Sequence, residues 1–249
     1  MMKKLILLFL FSVVFISIKA QLLIEIESGV VFPGYNDVRI PNDPTQSTKF
    51  SFTEDFEIQD PVIPIRLRLT YTFSKKNHLS VLYAPLSIDY AGVQDQNIRF
   101  QQTVFSSGEE IQGFYKFNSY RLTYRRDLVS SEKWTFGLGF TAKIRDARVQ
   151  LKNTNNSAKK DDLGFVPLIN VLLSYQVPKW IFILEGDALG ARQGRAVDLF
   201  LGTLYGVNDN VSLKLGYRIL EGGADVGQVY NFTLLNFASI GLTWTLFQN

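Results

Sequence analysis

Polar and apolar residues alternate with a period of two through most of this chain, the spacing at which successive side chains of an extended strand point to opposite faces. In residues 61–73, Ile63, Ile65, Leu67, Leu69, Tyr71 and Phe73 share one face, and Arg66, Arg68, Thr70 and Thr72 share the other. Residues 133–145 repeat the pattern, setting Trp134, Phe136, Leu138, Phe140, Ala142 and Ile144 against Thr135, Gly137, Gly139, Thr141, Lys143 and Arg145. No helical register fits either run. Ten such segments are legible, at 22–32, 62–73, 78–90, 111–125, 133–145, 164–177, 179–189, 196–206, 210–220 and 234–247.

Residues 50–56 and 98–105 also alternate, as hairpin extensions above the main sheet or as an additional strand pair, so eight or twelve strands are the alternatives to ten. In the third segment Leu79, Val81 and Tyr83 begin on one phase while Ala84, Leu86, Ile88 and Tyr90 continue on the other, which predicts a bulge near Ala84 and Pro85. Connections alternate in length. Long ones, 33–61, 91–110, 146–163, 190–195 and 221–233, fall at one end, and tight turns at 74–77, 126–132, 178 and 207–209 fall at the other. No linker or internal repeat divides the 249 residues, which reads as one domain.

The first 20 residues have a different logic. Lys3 and Lys4, an apolar run over residues 5–18, and Lys19-Ala20 before Gln21 have the charged, apolar, small-residue layout of a secretory leader cleaved near Ala20, which leaves 21–249 as the barrel. The run is too short for a membrane helix of about 20 residues. Loss of Lys3, Lys4 and Lys19 brings 26 basic residues to 23, equal to the 23 acidic ones, so the basic character of the precursor is no argument for a nucleic-acid partner. Cysteine is absent, which excludes disulfides, thiolate metal sites and a cysteine nucleophile.

Alternation alone does not say which face is outside. Strands of 11–15 residues suit a bilayer crossing at about 45° tilt, which takes about 9–11 residues. Trp134, Trp180 and Trp244 fall at the tight-turn ends, with Tyr71, Tyr124, Tyr175 and Tyr205, as an aromatic girdle at a membrane interface would. The polar face carries Glu25, Glu27, Arg66, Arg68, Arg121, Arg125, Lys143, Arg145, Glu185, Asp187, Lys214 and Arg218, charges that lipid would forbid and that the inside of a closed barrel can pair. The reading is an all-β fold: a closed antiparallel transmembrane β-barrel of about ten strands, with long outer loops and short periplasmic turns. A soluble lipocalin-like barrel, apolar inside, is the alternative.

On these residues the chain resembles the small outer-membrane β-barrel proteins of Gram-negative bacteria, the broad porin-like class, over nearly all of 21–249. The resemblance rests on the leader, on the pattern of 63–73, 134–144 and 211–219, and on the final strand 238–246. It implies an outer-membrane location, contact with outer-membrane lipid and insertion by the barrel-assembly machinery. Barrels of this class usually end on an aromatic residue; here Phe247 is followed by Gln248 and Asn249 and falls on the inward phase.

Chemistry is sparse. His78 is the one histidine and sits beside the turn at 74–77, whereas barrel enzymes of the resembling class pair a histidine with Ser, Asp or Glu near the outer half; it reads as a surface turn residue. Glu185, Asp187, Arg192, Arg195 and Asp198 span the shortest outer loop, as a polar constriction, an anion site or a salt-bridge network pinning the loop. Arg66, Arg68, Arg121 and Arg125 have Glu25 and Glu27 within reach, for structural pairing or a selectivity ring. The acidic run Glu54, Asp55, Glu57 and Asp60 lacks the Ca²⁺-loop arrangement and reads as a solvated loop. No cofactor or metal is called for. The functional expectation is a non-enzymatic envelope barrel, a narrow pore for small solutes or a plugged barrel, with surface binding through the outer loops or a hydrolase as alternatives.

Overall fold

The computed structural model describes residues 21–246, so the leader, its cleavage site and Phe247 lie outside the described residues. Fifteen strands appear in order: β1 Gln21–Arg39, β2 Phe50–Ser51, β3 Glu57–Ile58, β4 Arg66–Phe73, β5 Asn77–Ala84, β6 Ser87–Val93, β7 Ile98–Phe100, β8 Thr103–Phe105, β9 Glu110–Ser130, β10 Trp134–Lys152, β11 Ser157–Val177, β12 Trp180–Ala191, β13 Gly194–Gly206, β14 Val211–Val226 and β15 Val229–Leu246. Ten walls close on themselves: β1, β4, β5 continued by β6, β9, and β10 to β15, with β15 returning to pair with β1. The closure at β1 runs from Leu22 opposite Leu246 to Arg39 opposite Tyr230. A closed wall leaves no edge, so backbone polar groups are satisfied between strands where lipid offers no partner.

Strand lengths set a high side and a low side. The 12 residues of β12 rise by about 28 Å at a 45° tilt, close to the apolar thickness of a bilayer. β9 and β11, with 21 residues each, rise by about 50 Å and stand well above that level. The expected loop at 146–163 is therefore a hairpin, paired from Arg145 opposite Gly164 to Lys152 opposite Ser157, with only 153–156 left as turn. The expected loop at 221–233 is likewise paired up to Val226 opposite Val229. The reason is the same in both: the strands outlast the bilayer and keep pairing in water.

The phase change in the third segment is not a bulge. β5 and β6 pair with β9 in one unbroken register, Ala84 opposite Ser119 and Ser87 opposite Lys116, across residues 85–86. The apolar side changes instead. Leu79, Val81 and Tyr83 face out and are exposed, while Leu86, Ile88 and Tyr90 face in and are buried. β9 does the same: Tyr120, Leu122 and Tyr124 are exposed, Ile111 and Tyr115 buried. So does β10, with Leu138, Phe140 and Ile144 outward and Val149 and Leu151 inward. The barrel is apolar outside along its lower part and apolar inside along its upper part.

The upper interior is filled by the connections. Residues 40–65 deliver Phe50, Phe52 and Phe56, and residues 94–109 deliver Ile98, Phe100 and Phe105, into one buried cluster with Val38, Ile88, Tyr90, Ile111, Tyr115 and Leu151. Phe52 stacks on Tyr90 at 4.7 Å and meets Phe50 edge-on at 5.3 Å, the offset and T-shaped arrangements that aromatic quadrupoles favour. The two alternating stretches thus add no wall strand, and the second of them is an additional strand pair. β7 and β8 form their own small sheet, and β2 adds two residues to β1.

Candidate functional site

Below the aromatic cluster the inward positions of β1, β4, β9, β12, β13 and β14 carry ten charges, five of each sign. The acids are Glu25, Glu27, Glu185, Asp187 and Asp198; the bases are Arg66, Arg68, Arg121, Lys214 and Arg218. All but Arg68 are buried, and its side chain is only 18% exposed. Period-two alternation and a common register put them at one depth, since Glu25 lies opposite Arg68 and Glu27 opposite Arg66.

Some of their pairings join adjacent strands, as Arg218 of β14 with Asp198 of β13, but the arginines of β4 and β9 cross the barrel. Arg68 of β4 reaches Glu185 of β12 at 2.9 Å, and Arg66 reaches Asp198 of β13 at 3.0 Å. Arg121 of β9 bonds to Asp187 at 2.7 Å and also contacts Asp198. That contact answers a local problem: Asp187 and Asp198 are directly opposite on adjacent strands, where like charges repel, and one guanidinium serves both. Lys214 lies 3.1 Å from Glu25, 3.1 Å from Glu27 and 2.8 Å from Glu185. Arg218 takes Glu27 in a two-pronged grip at 2.7 and 2.8 Å, and Asp198 at 2.7 Å. Thr141 and Asn170 donate to the remaining oxygen of Asp187 at 2.6 and 2.8 Å. Phe200 lies inside this layer, with the Lys214 ammonium 4.1 Å from its ring centre. Gly202 and Gly216 leave the room it needs, since a Cβ on either would come within 2.5 Å of the ring tip.

The other expected lumen charges lie elsewhere. Arg125 pairs with Asp127 at 3.5 Å near the turn end. Arg145 pairs with Asp162 toward the outer end. Lys143 faces inward and is buried, with the Phe117 ring centre 4.7 Å from its Nζ.

His78 is not a surface turn residue. Its ring is 12% exposed and bridges Thr72 Oγ1 at 2.9 Å and Asp127 Oδ2 at 2.8 Å, because position 78 falls on the inward phase opposite Thr72. The five residues expected to cluster at the shortest loop also separate. Glu185, Asp187 and Asp198 point into the charged layer, Arg195 pairs with Glu221 at 2.8 Å and lies over the Phe232 ring at 4.7 Å, and Arg192 is exposed. Of the acidic run, Asp55 accepts the Ser51 amide at 2.7 Å.

On the outside, Trp134 packs on Tyr175 at 4.6 Å and Trp180 on Tyr205 at 4.8 Å, each pair directly opposite on adjacent strands. Trp244, Tyr71 and Tyr124 are exposed outward, and the Tyr124 hydroxyl donates to Asn77 at the start of β5 at 2.8 Å.

At the outer rim, hydrogen bonds from the Thr45 hydroxyl and amide and from Gln46 hold the Asp43 carboxyl below its usual range. A hydrogen bond to Asp37 holds the Lys49 ammonium above its own.

Sequence reasoning missed Asp127 and Phe200. Asp127 shares the odd, inward phase of Arg121 and Arg125 and was hidden by ending the strand at 125. Phe200 is an apolar side chain in a polar face, and only its flanking glycines signal it.

No protein-family profile matches the chain, and no curated protein does. Solved structures do. The outer membrane protease OmpT from Escherichia coli aligns over 91% of this chain and 97% of its own at 10% identity, with a TM-score of 0.56. Neisserial surface protein A aligns over 91% and 96% at 14% identity, with a TM-score of 0.34. Ail of Yersinia pestis aligns over 91% and 99% at 11% identity, with a TM-score of 0.37. The chain has the fold of the outer-membrane β-barrels.

Proposed function

We propose that this chain is a plugged, non-enzymatic barrel of the outer membrane whose lumen does not conduct. One observation carries the reading: Arg66, Arg68 and Arg121 reach carboxylates on β12 and β13 across the lumen, directly beneath an apolar core that seals the outer end. Such charges are committed to one another and are not a selectivity ring, because a solute would have to displace partners worth about 3–5 kcal/mol each when lost singly. The Thr72, His78 and Asp127 chain pins β4, β5 and β9 together at the turn end, and both ring nitrogens are engaged.

The surrounding life history follows the same reading. A leader cleaved near Ala20 exports the chain, the barrel-assembly machinery inserts it, and the outward Trp and Tyr residues form the girdle at the lipid interface. Planar-bilayer recording of the refolded barrel tests the lumen: the parent stays silent, and stable unitary openings in correctly inserted protein overturn the plug.

A second reading, surface binding, is favoured by the order of the outer connections. Residues 40–65 and 94–109 are anchored by seven buried apolar side chains, so a partner would meet a pre-organised face and little ordering entropy would be lost. Replacing 42–48 with a Gly/Ser loop in barrels that still insert abolishes such an interaction, and unchanged cell-surface binding contradicts it.

A further inference from the structure

The walls of this barrel differ in height, and a wall that outlasts its neighbour bares a strand edge. Above β4, β1 is covered by β2, by Phe52, whose amide donates to the Asn36 carbonyl, and by Val62, whose carbonyl accepts the Val31 amide. β6 is covered by β3. Among the described residues β11 is the exception. It pairs with β10 up to Ser157 but with β12 only from Ile169 opposite Ala188 downward, so residues 157–168 have a neighbour on one side alone. Below them β12 turns back into β13, Ala191 opposite Gly194.

The ladder says which backbone groups are bare. The Gln176 amide donates to the Lys133 carbonyl at 2.7 Å and the Asn156 carbonyl accepts from the Asn153 amide at 2.9 Å, so even positions of β11 bond toward β10 and odd positions toward β12. Pro167 is odd and has no N–H, which ends the β12 ladder where it ends. Above it the amides and carbonyls of Lys159, Asp161, Leu163 and Phe165 point into the gap, with no backbone or side-chain partner among the described residues. These four residues cover about 20 Å of edge, a template for one more strand.

The side chains along this edge say what fits. Leu163 is 75% exposed and Phe165 64%. Leu163 stands opposite Asp146, which pairs with Lys116 at 2.7 Å, so it projects among charges at a level where lipid does not account for it. Higher up, Asp161 is shared by Arg148 and Lys159, and Lys160 has no ion pair among the described residues, which leaves three cations to one carboxylate. A second copy of the chain does not fit. Pairing two identical edges needs a two-fold axis across or along the strand, whereas barrels sharing a bilayer are related about its normal, from which strands lean by about 45°.

We propose that the edge at 159–165 takes up an extended peptide segment of a partner protein as an added strand. The segment has apolar side chains at alternate positions, which lie beside Leu163 and Phe165, and carboxylates at the end that meets Lys159 and Lys160. Main-chain bonds to the four odd residues supply affinity, and the side chains supply selectivity. The surface lies on the wall, apart from residues 40–65 and 94–109, and stands whether or not the lumen conducts.

Site-resolved amide exchange of the refolded barrel in lipid nanodiscs tests it. The probes are peptides of about eight residues, alternating valine and threonine with two glutamates at one end, made in both sequence orders. Without peptide, the amides of 159, 161, 163 and 165 exchange freely while those of 160, 162 and 164 are protected by β10. At ten times its Kd the peptide slows the four odd amides about tenfold and leaves the even ones unchanged. Of two alternately N-methylated forms, the one blocked on its pairing edge loses the effect, and lysines in place of the glutamates weaken it. Leu163→Pro removes an edge donor without touching the β10 ladder and weakens it as well; the N-methylated peptides keep the test decisive where that variant fails to fold. Odd amides protected before peptide is added, protection that grows with barrel concentration alone, or no slowing at millimolar peptide overturns the proposal.

Discussion

The lower and upper interiors of this barrel solve the same packing problem with opposite chemistry. At bilayer depth the outside must be apolar, so the inward face takes the polar residues and is filled by ten charges that neutralise one another across the lumen. Above that depth the outside meets water, so the strands invert and the inward face closes over Phe50, Phe52, Phe100 and Phe105 as a soluble domain would. One chain therefore carries two kinds of core on continuous strands. Cohesion in the lower core is specific and fails as a network, whereas cohesion in the upper core is area-based and fails locally.

Arg218→Ala probes that difference most severely. It strips the two-pronged partner from Glu27 and one partner from Asp198, both fully encased, and costs about 3–5 kcal/mol. The loss is global, read as a lower urea midpoint for the whole barrel by tryptophan fluorescence. A purely local effect would mean that the layer is not one network.

Phe52→Ala removes a fully buried ring and costs about 3–5 kcal/mol of upper-core packing, but the barrel below survives. Limited proteolysis should open residues 40–65 while the protein keeps the heat-shifted gel migration of a folded barrel. Loss of both together would erase the distinction between the two cores.

Gly216→Val drives a branched side chain into both the Phe200 ring and the Leu201 carbonyl, an overpacking cost of about 1–3 kcal/mol, and Phe200→Leu in the same chain recovers only the part owed to the ring. Failure of that rescue would place the strain in the backbone.

The smallest effect is at the rim. The lowered pKa of Asp43 stabilises the 40–48 loop above the ordinary aspartate pKa of about 3.9, and that support disappears as pH falls through the depressed value. Protection of the Thr45 amide from exchange, relative to its intrinsic rate at each pH, should fall on acidification in the parent, and Asp43→Asn should flatten the response; an unchanged profile would show that the loop is held from below.

Most of the barrel could be read from period-two alternation, because a bilayer makes one face apolar over a long run. The ten walls and their order follow from that rule, and so does the inward phase of the nine expected charges that meet in the layer, whereas Arg125 and Arg145 pair nearer the two ends and Lys143 points inward without a carboxylate partner. What stayed hidden follows from its breakdown. The phase reversal at Ala84 read as a bulge because two faces exchanging solvents and a strand slipping by one residue produce the same pattern. The upper core was invisible for a related reason: Phe50, Phe52, Phe100 and Phe105 reside in connections, and nothing local tells a loop aromatic that folds inward from one that binds outward. Cross-lumen partners such as Arg68 and Glu185 are set by barrel closure, which no local spacing encodes.

The inversion itself is the claim to test first, and the absence of cysteine makes it accessible. Single cysteines at Ile111, Gln112, Tyr115, Lys116, Leu122 and Tyr124 of β9, spin-labelled in lipid vesicles, report collision with oxygen from the lipid phase and with a water-soluble nickel complex. The structure predicts lipid contact at 122 and 124, water contact at 112 and 116, and neither at 111 and 115. Lipid contact on a single unbroken alternate phase from 112 to 124 would contradict it.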